Sequence, residues 1–516
     1  MWDPKYRDAL SDRREAARIA GGDRRIAAQH QKGKLTARER LDALFDPGTF
    51  VEINTLVQSQ STRFGMAEKR IPGDGVVIGY GEVDGRVVYA SAQDFTVIGG
   101  TLGEYHSRKI CHIMDMALQM KAPYVSINDS GGARIEEGMS SLDGYSGIFY
   151  RNTRASGVIP QISVILGPCA GGACYSPAIT DFIFMAEGTA NMFITGPAVV
   201  EAVLGEKVTA EELGGAAIHA EKSGVAHFTC ASDLDCLAGV KKLLSYLPAN
   251  RDEKPPFVPG KARDDSCRLE EIVPDNSRKT YDVKQVIETF TDEGSFLEIQ
   301  ANFAKNIVIG LARMDGETLG IVANNPRGGV VGSLDIDASE KAARFVRFCD
   351  CFNIPLLTLV DVPGFLPGTR QEYGGIIRKG AKLLYAYAEA TVPKVTLILR
   401  KAFGGAYIAM NSKGMGADLV FAWPIAQTAV MGAEGAVAIM NGKQIAAATD
   451  PQAEKQRLAE AYEAEFMTPY IAAERGYIDE VILPEETRAK IRSAFEALKR
   501  KNRQAAGYRE HGNIPL

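Results

Sequence analysis

Two glycine pairs stand where unpaired backbone N–H groups can do chemistry. One lies in Gly167-Pro-Cys-Ala-Gly171-Gly172-Ala173 and the other in Lys401-Ala-Phe-Gly404-Gly405-Ala406-Tyr407. Each comes after an apolar run, QISVILG from Gln161 and KVTLILR from Lys394, and each is expected to open a helix. A glycine pair at a strand-to-helix turn removes Cβ crowding, so donors at the helix start approach a ligand oxygen closely. That is how an oxyanion hole is made without a charged side chain. Neither turn is a phosphate loop of the G-x-x-x-x-G-K-[ST] kind, which argues against nucleotide hydrolysis.

Other small-residue turns accompany the pair. The first half has Gly99-Gly100 and Asp129-Ser130-Gly131-Gly132-Ala133-Arg134; the second has Arg327-Gly328-Gly329 and Asp361-Val362-Pro363-Gly364-Phe365. Together they predict a long groove lined by backbone, suited to an extended ligand carrying amide and carbonyl groups.

The elements that must hold these turns occur twice. LTARERLDALFDPGTFVEI (from Leu35) returns as YDVKQVIETFTDEGSFLEI (from Tyr281), and VDGRVVYASAQD (from Val83) as MDGETLGIVANN (from Met314). APYVSINDSGG (from Ala122) and VIPQISVILGPCAGGACY (from Val158) are answered by IPLLTLVDVPG (from Ile354) and TVPKVTLILRKAFGGAYI (from Thr391). The offset runs from 231 residues (83 to 314) to 246 (35 to 281), so these are two long homologous halves and not a short solenoid repeat. Within each half, β-rich runs alternate with helical patterns such as Glu104 to Lys121, which implies βαβ-type units. The proline-rich, mixed-charge stretch from Leu247 to Thr280 reads as a linker.

Bulk properties suit an ordinary globular enzyme. The chain has 516 residues, 46% of them hydrophobic and 24% charged, which is enough for two domains. A formal charge of -5 argues against a general nucleic-acid surface, and the basic runs Arg13 to Arg40 and Lys499 to Arg503 read as solvated helix faces. Gly157 to Thr180, the longest uncharged run, is broken by Pro160, Pro168, Pro177 and Gly171-Gly172, so it reads as strand, turn and helix start and not as a membrane span. The N-terminus is charged from its third residue and lacks an apolar signal core, from which a cytoplasmic location is expected. Eight cysteines without C-x-x-C spacing and six scattered histidines predict reduced thiols and no metal site.

Long stretches of the chain resemble a known family. TARERLDALFDPGTFVEI, QDFTVIGGTLGE, NDSGGARIEEG, GPCAGGACYSPA, VDVPGFLPGT, RKAFGGAYIAMNSK and FAWPIAQTAVMGAEGAV are similar to the carboxyltransferase β subunit of biotin-dependent acyl-CoA carboxylases, propionyl-CoA and acetyl-CoA carboxylase branch. The resemblance runs from about residue 10 to the C-terminus. It implies an α/β fold of two homologous crotonase-like (ClpP/crotonase) ββα superhelix domains, 1–262 and 263–516. It also implies a homo-hexameric core, with the active site between the N half of one copy and the C half of another.

By the same resemblance, Gly171-Gly172 holds one oxyanion and Gly405-Ala406 the other, one oxygen being the thioester carbonyl and one the biotin ureido oxygen, with the N half favoured for the thioester. Gly99, Gly100, Ser130, Gly131, Gly132, Ala133, Arg134 and Tyr175 in the first half, and Gly364, Phe365 and Ile408 in the second, are expected to meet substrate. The substrate is a coenzyme A thioester. Biotin is carried by a partner, the biotin carboxylase/biotin carrier α subunit, where ATP, Mg²⁺ and bicarbonate are used; this chain has no ATP-grasp-like segment and no Met-Lys-Met. From the charge and the lack of an unbroken apolar span, no nucleic-acid partner and no direct membrane insertion are expected.

An enolate mechanism of this kind needs no side-chain base, which matches the lack of a catalytic His or Cys constellation. Ile408 stands where many propionyl-preferring members have Asp, which opens acetyl-CoA as a substrate; Pro424-Ile425 replaces the common Pro-Thr. Two alternatives stay open: the transferase of a biotin-dependent methylmalonyl-CoA decarboxylase, and a noncatalytic CoA-binding scaffold, which would need only one glycine turn.

Overall fold

A computed structural model describes residues 2–501; residues 502 and 503 of the C-terminal basic run, and the rest of the expected second domain to 516, lie outside the described residues. Two compact units divide at Lys254/Pro255. The division precedes the expected 262/263 boundary because the chain already packs on the second unit there: Val258 N donates to Gly316 O at 3.1 Å. Nor is the rest of the expected linker slack, since it contains the helix Leu269–Ile272, and Arg400 and Lys401 bind carbonyls of 274–279.

Each unit carries one eight-stranded sheet. In the first, the strands are β1 (Val51–Ile53), β2 (Val76–Val83), β3 (Arg86–Gln93), β4 (Tyr124–Ser130), β5 (Gln161–Ala170), β6 (Phe182–Ala186), β7 (Asn191–Phe193) and β8 (Phe228–Cys230). The second repeats them as β9 (Leu297–Ile299), β10 (Ile307–Met314), β11 (Glu317–Asn324), β12 (Leu356–Val362), β13 (Lys394–Phe403), β14 (Leu419–Ala422), β15 (Gln427–Ala429) and β16 (Glu480–Val481). The order is β1-β2-β3-β4-β5-β6-β8 and, in the second unit, β9-β10-β11-β12-β13-β14-β16. The first three strands of each sheet are antiparallel and the rest parallel.

Local chemistry explains the repeat. Asp84-Gly85 and Asp315-Gly316 both take positive φ, the geometry of a two-residue hairpin turn, and so join β2 to β3 and β10 to β11. Parallel strands are covered on both faces and therefore read as apolar runs: Val125, Ile127, Ile162 and Val164 are buried in one unit and Leu357, Leu359, Val395 and Leu397 in the other. The crossover helices Glu104–Met120 and Ile336–Cys351 each bury one lysine at the same place. Lys109 Nζ donates to Gly73 O at 2.9 Å and to Val76 O; Lys341 Nζ donates to Phe303 O (2.7 Å), Ile307 O (2.9 Å) and Gln300 O (3.0 Å). Both staple the helix to the loop that enters the hairpin.

β5 and β13 change neighbours midway. β5 pairs with β6 through Ile162–Ile165 and then with β7 from Pro168; β13 pairs with β14 through Val395–Ile398 and then with β15 from Lys401. On the other side a bulge marks the same point. Asn128↔Ile165 gives way to Ser130↔Cys169, and Val360↔Ile398 to Val362↔Ala402. Such bulges bend a strand and re-aim the chain beyond them. In both units the re-aimed chain is the glycine turn.

No helix among the described residues is long and apolar enough to cross a membrane.

Candidate active site

Beyond its bend, each long strand ends in a glycine in the left-handed region, Gly171 (φ 64°) and Gly404 (φ 59°). A side chain there would be strained, and the reversal it permits sends the chain into the helix Tyr175–Ile179 or Gly404–Ala409. The equivalent pairs are thus Gly171-Gly172 and Gly404-Gly405. In the second half the left-handed Gly404 makes the turn and directly precedes the expected pair Gly405-Ala406, of which Gly405 is exposed and Ala406 buried.

The other turns close around these. Gly131 N donates to Gly99 O (3.0 Å), Leu102 N to Gly132 O (2.9 Å) and Arg134 N to Leu102 O (2.9 Å), zipping the turn after β3 to the turn after β4. In the second unit Leu334 N donates to Gly364 O (3.1 Å) and Leu366 N to Leu334 O (2.7 Å). The third turn touches the second in both halves. A Cβ on Gly132 (φ 101°) would come within 2.9 Å of Ala170 O, and one on Gly405 would meet the Phe365 ring at 3.9 Å.

Most of the expected site residues are therefore brought together half by half: Gly99, Gly100, Ser130 to Ala133 and Gly171-Gly172 in one, Gly364, Phe365 and Gly405-Ala406 in the other. Tyr175 and Ile408 occupy the same place after their turns, at 48% and 45% exposure, open to a ligand. Tyr175 stands edge-on to Phe149, which stacks on Tyr145, whose ring faces Gly172; no sequence pattern hinted at this aromatic wall. Arg134 is different. It is buried, and Nη1 donates to Asp74 (2.7 Å) and Glu137 (2.8 Å) while Nη2 donates to Thr101 O (3.0 Å), so it braces the turns from beneath.

Sequence reasoning also missed a buried carboxylate beside each bulge. Asp129 accepts from Lys34 Nζ (2.8 Å), Arg40 Nη1 (2.9 Å) and Gln29 Nε2 (2.9 Å). Asp361 accepts from Arg400 Nε (2.8 Å), Tyr281 Oη (3.0 Å) and Lys401 N (3.1 Å). Burial, then the Asp361 charge, pushes the Tyr281 phenol well above its ordinary pKa, which keeps it a donor. The available signal was a single acid at matched places in two apolar strands, YVSINDS and LLTLVDV.

Glycine turns with exposed backbone and no titratable side chain can hold a developing oxyanion; Gly405 is exposed, and a Cβ built on it would meet only Phe365. A family model described as the carboxyl transferase domain matches residues 28–514. The chain belongs to the carboxyl transferase domain family. Among members, it is 55% identical over 99% of both chains to the carboxyltransferase subunit of propionyl-CoA carboxylase from Haloferax mediterranei. It is also 54% identical, over 98% of both chains, to the methylmalonyl-CoA decarboxylase subunit alpha of Propionigenium modestum. The crystal structure of the transcarboxylase 12S hexamer, with methylmalonyl-coenzyme A and methylmalonic acid bound, superposes with a TM-score of 0.94 at 51% identity, covering 99% of this chain and 98% of that one. The two ββα units are the crotonase-like carboxyltransferase fold expected.

Proposed function

We propose that this chain is the carboxyltransferase subunit of a cytoplasmic, biotin-dependent acyl-CoA carboxylase, with a hexameric core, acting on short acyl-CoA thioesters such as propionyl-CoA and acetyl-CoA. The observation that carries the reading is the matched pair of left-handed glycine turns, one per half, in a chain more than half identical to such a subunit. Two turns suit a reaction with two oxygens to hold. Gly171-Gly172 would hold the thioester carbonyl, whose charge grows as the α-proton leaves, and Gly405-Ala406 the ureido oxygen; fixed backbone donors do this without reorganising. Carboxybiotin on the partner's carrier domain supplies the carboxyl carbon and, once that has left, a ureido nitrogen to take the proton. The chain's own part is to fix both oxygens so that donor and α-carbon meet, and to keep water from the enolate.

The test mixes the purified chain with a biotin carboxylase/biotin carrier subunit, ATP, Mg²⁺ and bicarbonate and follows carboxylation of acetyl-, propionyl- and longer acyl-CoAs. Product formation is expected, with its rates ranking the thioesters. No product, together with transfer from methylmalonyl-CoA to free biotin, would turn the assignment to the decarboxylase, which the Propionigenium modestum relative keeps in view. Tight CoA binding without either reaction would leave a scaffold.

A further inference from the structure

We propose that Asp129 and Asp361 are positioning residues, each setting the aim of all three turns of its own half. Each aspartate is a node. Its side chain sits in the bulge that bends β5 or β13: Asp361 Oδ1 takes the N–H of Lys401, and in the first unit a Cβ on Gly167 would overlap the Asp129 carboxylate. The glycine turn begins within four residues of that point, at Gly171 or Gly404. The aspartate's backbone N–H reaches the end of the previous strand, donating to Gln93 Oε1 in one half and Asn324 Oδ1 in the other, at 3.2 Å in both. Its carbonyl oxygen lies under the turn after that strand, where a Cβ on Gly100 (φ 64°) would overlap Asp129 O and one on Gly332 (φ 75°) would stand 2.9 Å from Asp361 O. The next residue, Ser130 or Val362, ends the strand and enters the middle turn.

A residue that only filled the core would need no such arrangement twice. Here the bulge, the amide acceptor from the neighbouring strand and the glycine beneath the carbonyl recur together, although the cations around the two carboxylates differ. Both aspartates are nine-tenths or more buried, so they touch no ligand and act through the backbone they hold.

Asp129→Asn and Asp361→Asn, each in the full chain, test this by amide hydrogen exchange at peptide resolution. Exchange should quicken roughly tenfold or more at the three turns of the altered half, about the effect of losing one buried charged hydrogen bond, and stay unchanged in the other half. The activity arm rests on the carboxyltransferase reading: kcat should fall about 10²-fold while KM for the acyl-CoA stays within about threefold, since aim and not binding is lost. Uniformly faster exchange through the core strands, or unaltered exchange at the turns, overturns the proposal. Should an Asn variant fail to fold, Gln93→Leu removes the acceptor of the Asp129 N–H along with a 3.4 Å hydrogen bond to His106, Tyr281→Phe removes one hydrogen bond to Asp361, and both should give the same local pattern. A wild-type chain without transfer activity would count against the carboxyltransferase reading alone, and the exchange pattern then decides.

Discussion

In the first half the guanidinium that meets the buried aspartate comes from a helix, and in the second it comes from the strand. Arg40 lies on the helix Ala37–Leu44 and joins Asp129 to Asp233 and to Leu166 O. At the matching helix position the second half has Val286, buried and apolar. Its arginine is Arg400 on β13, and the residue matching Arg400 is Gly167, where any side chain would strike the Asp129 carboxylate and Lys34. Two routes thus deliver a positive charge to one place. The common requirement is that charge beside the bulge, since an isolated buried carboxylate is costly. Its source is free to vary.

The largest test breaks this equivalence by transplant. Arg40→Val leaves Asp129 with Lys34 and Gln29 and takes the guanidinium from Asp233, so the first unit should lose about 3–5 kcal/mol in denaturant unfolding. Adding Gly167→Arg should give no recovery, because its Cβ alone would stand 1.9 Å from Asp129 Oδ1 and 2.5 Å from Lys34 Nζ. Recovery would mean that the first half can yield enough to take its charge from the strand.

Next come the turns. Gly405→Val and Gly172→Val should each lower kcat by about 10²–10³, the usual effect of one lost oxyanion donor, with unchanged assembly. The halves should differ in stability. A Cβ at 405 makes only ordinary contact with Phe365, whereas one at 172 lies 3.3 Å from the Tyr145 ring, so the Gly172 variant alone should also melt earlier. Full activity in either would remove the oxyanion assignment.

The buried lysines sharpen the comparison through pH. Burial lowers Lys109 to about 8 and Lys341 to about 7. In the unfolded chain both stay charged to about 10.4. Between about pH 7 and 10 the unfolded state therefore binds more protons, and stability rises with pH as the ammonium is shed. Urea midpoints measured from pH 7 to 9 should climb more steeply for the wild type than for Lys341→Met, by up to about 1.4 kcal/mol per pH unit. The Lys109→Met difference should begin about one unit higher. Parallel curves for wild type and both variants would show that burial leaves these ammoniums unperturbed.

The smallest effect is expected at Ile408. Ile408→Asp should shift the acetyl-to-propionyl ratio of kcat/KM by a few fold, in the range of about 1 kcal/mol that one apolar contact commands. The same change at Tyr175, its counterpart, should leave the ratio alone if only the second half shapes that wall.

The duplication and the glycine turns are legible because they are local. Strand patterns span a few residues, and small-residue runs announce turns without help from distant chain. The aspartate nodes are not legible in this way, since Asp129 finds its cations 89 and 95 residues away and Asp361 its phenol 80 away. The motif around Arg134 ends in a charge and so points toward substrate; Asp74, 60 residues earlier, claims that charge for the interior. That Gly404 is the left-handed residue of its pair shows only in the fold, because the sign of φ is a property of the folded turn and not of the letters around it.

Gly167 and Arg40 carry a historical consequence. Passing from the helix arrangement to the strand arrangement in single substitutions means first crowding two guanidiniums around one carboxylate or first having none. Either intermediate is disadvantaged, so the two positions change together or not at all. Halves that diverged after duplication could each settle on one solution and then be held there by the order in which mutations must arrive.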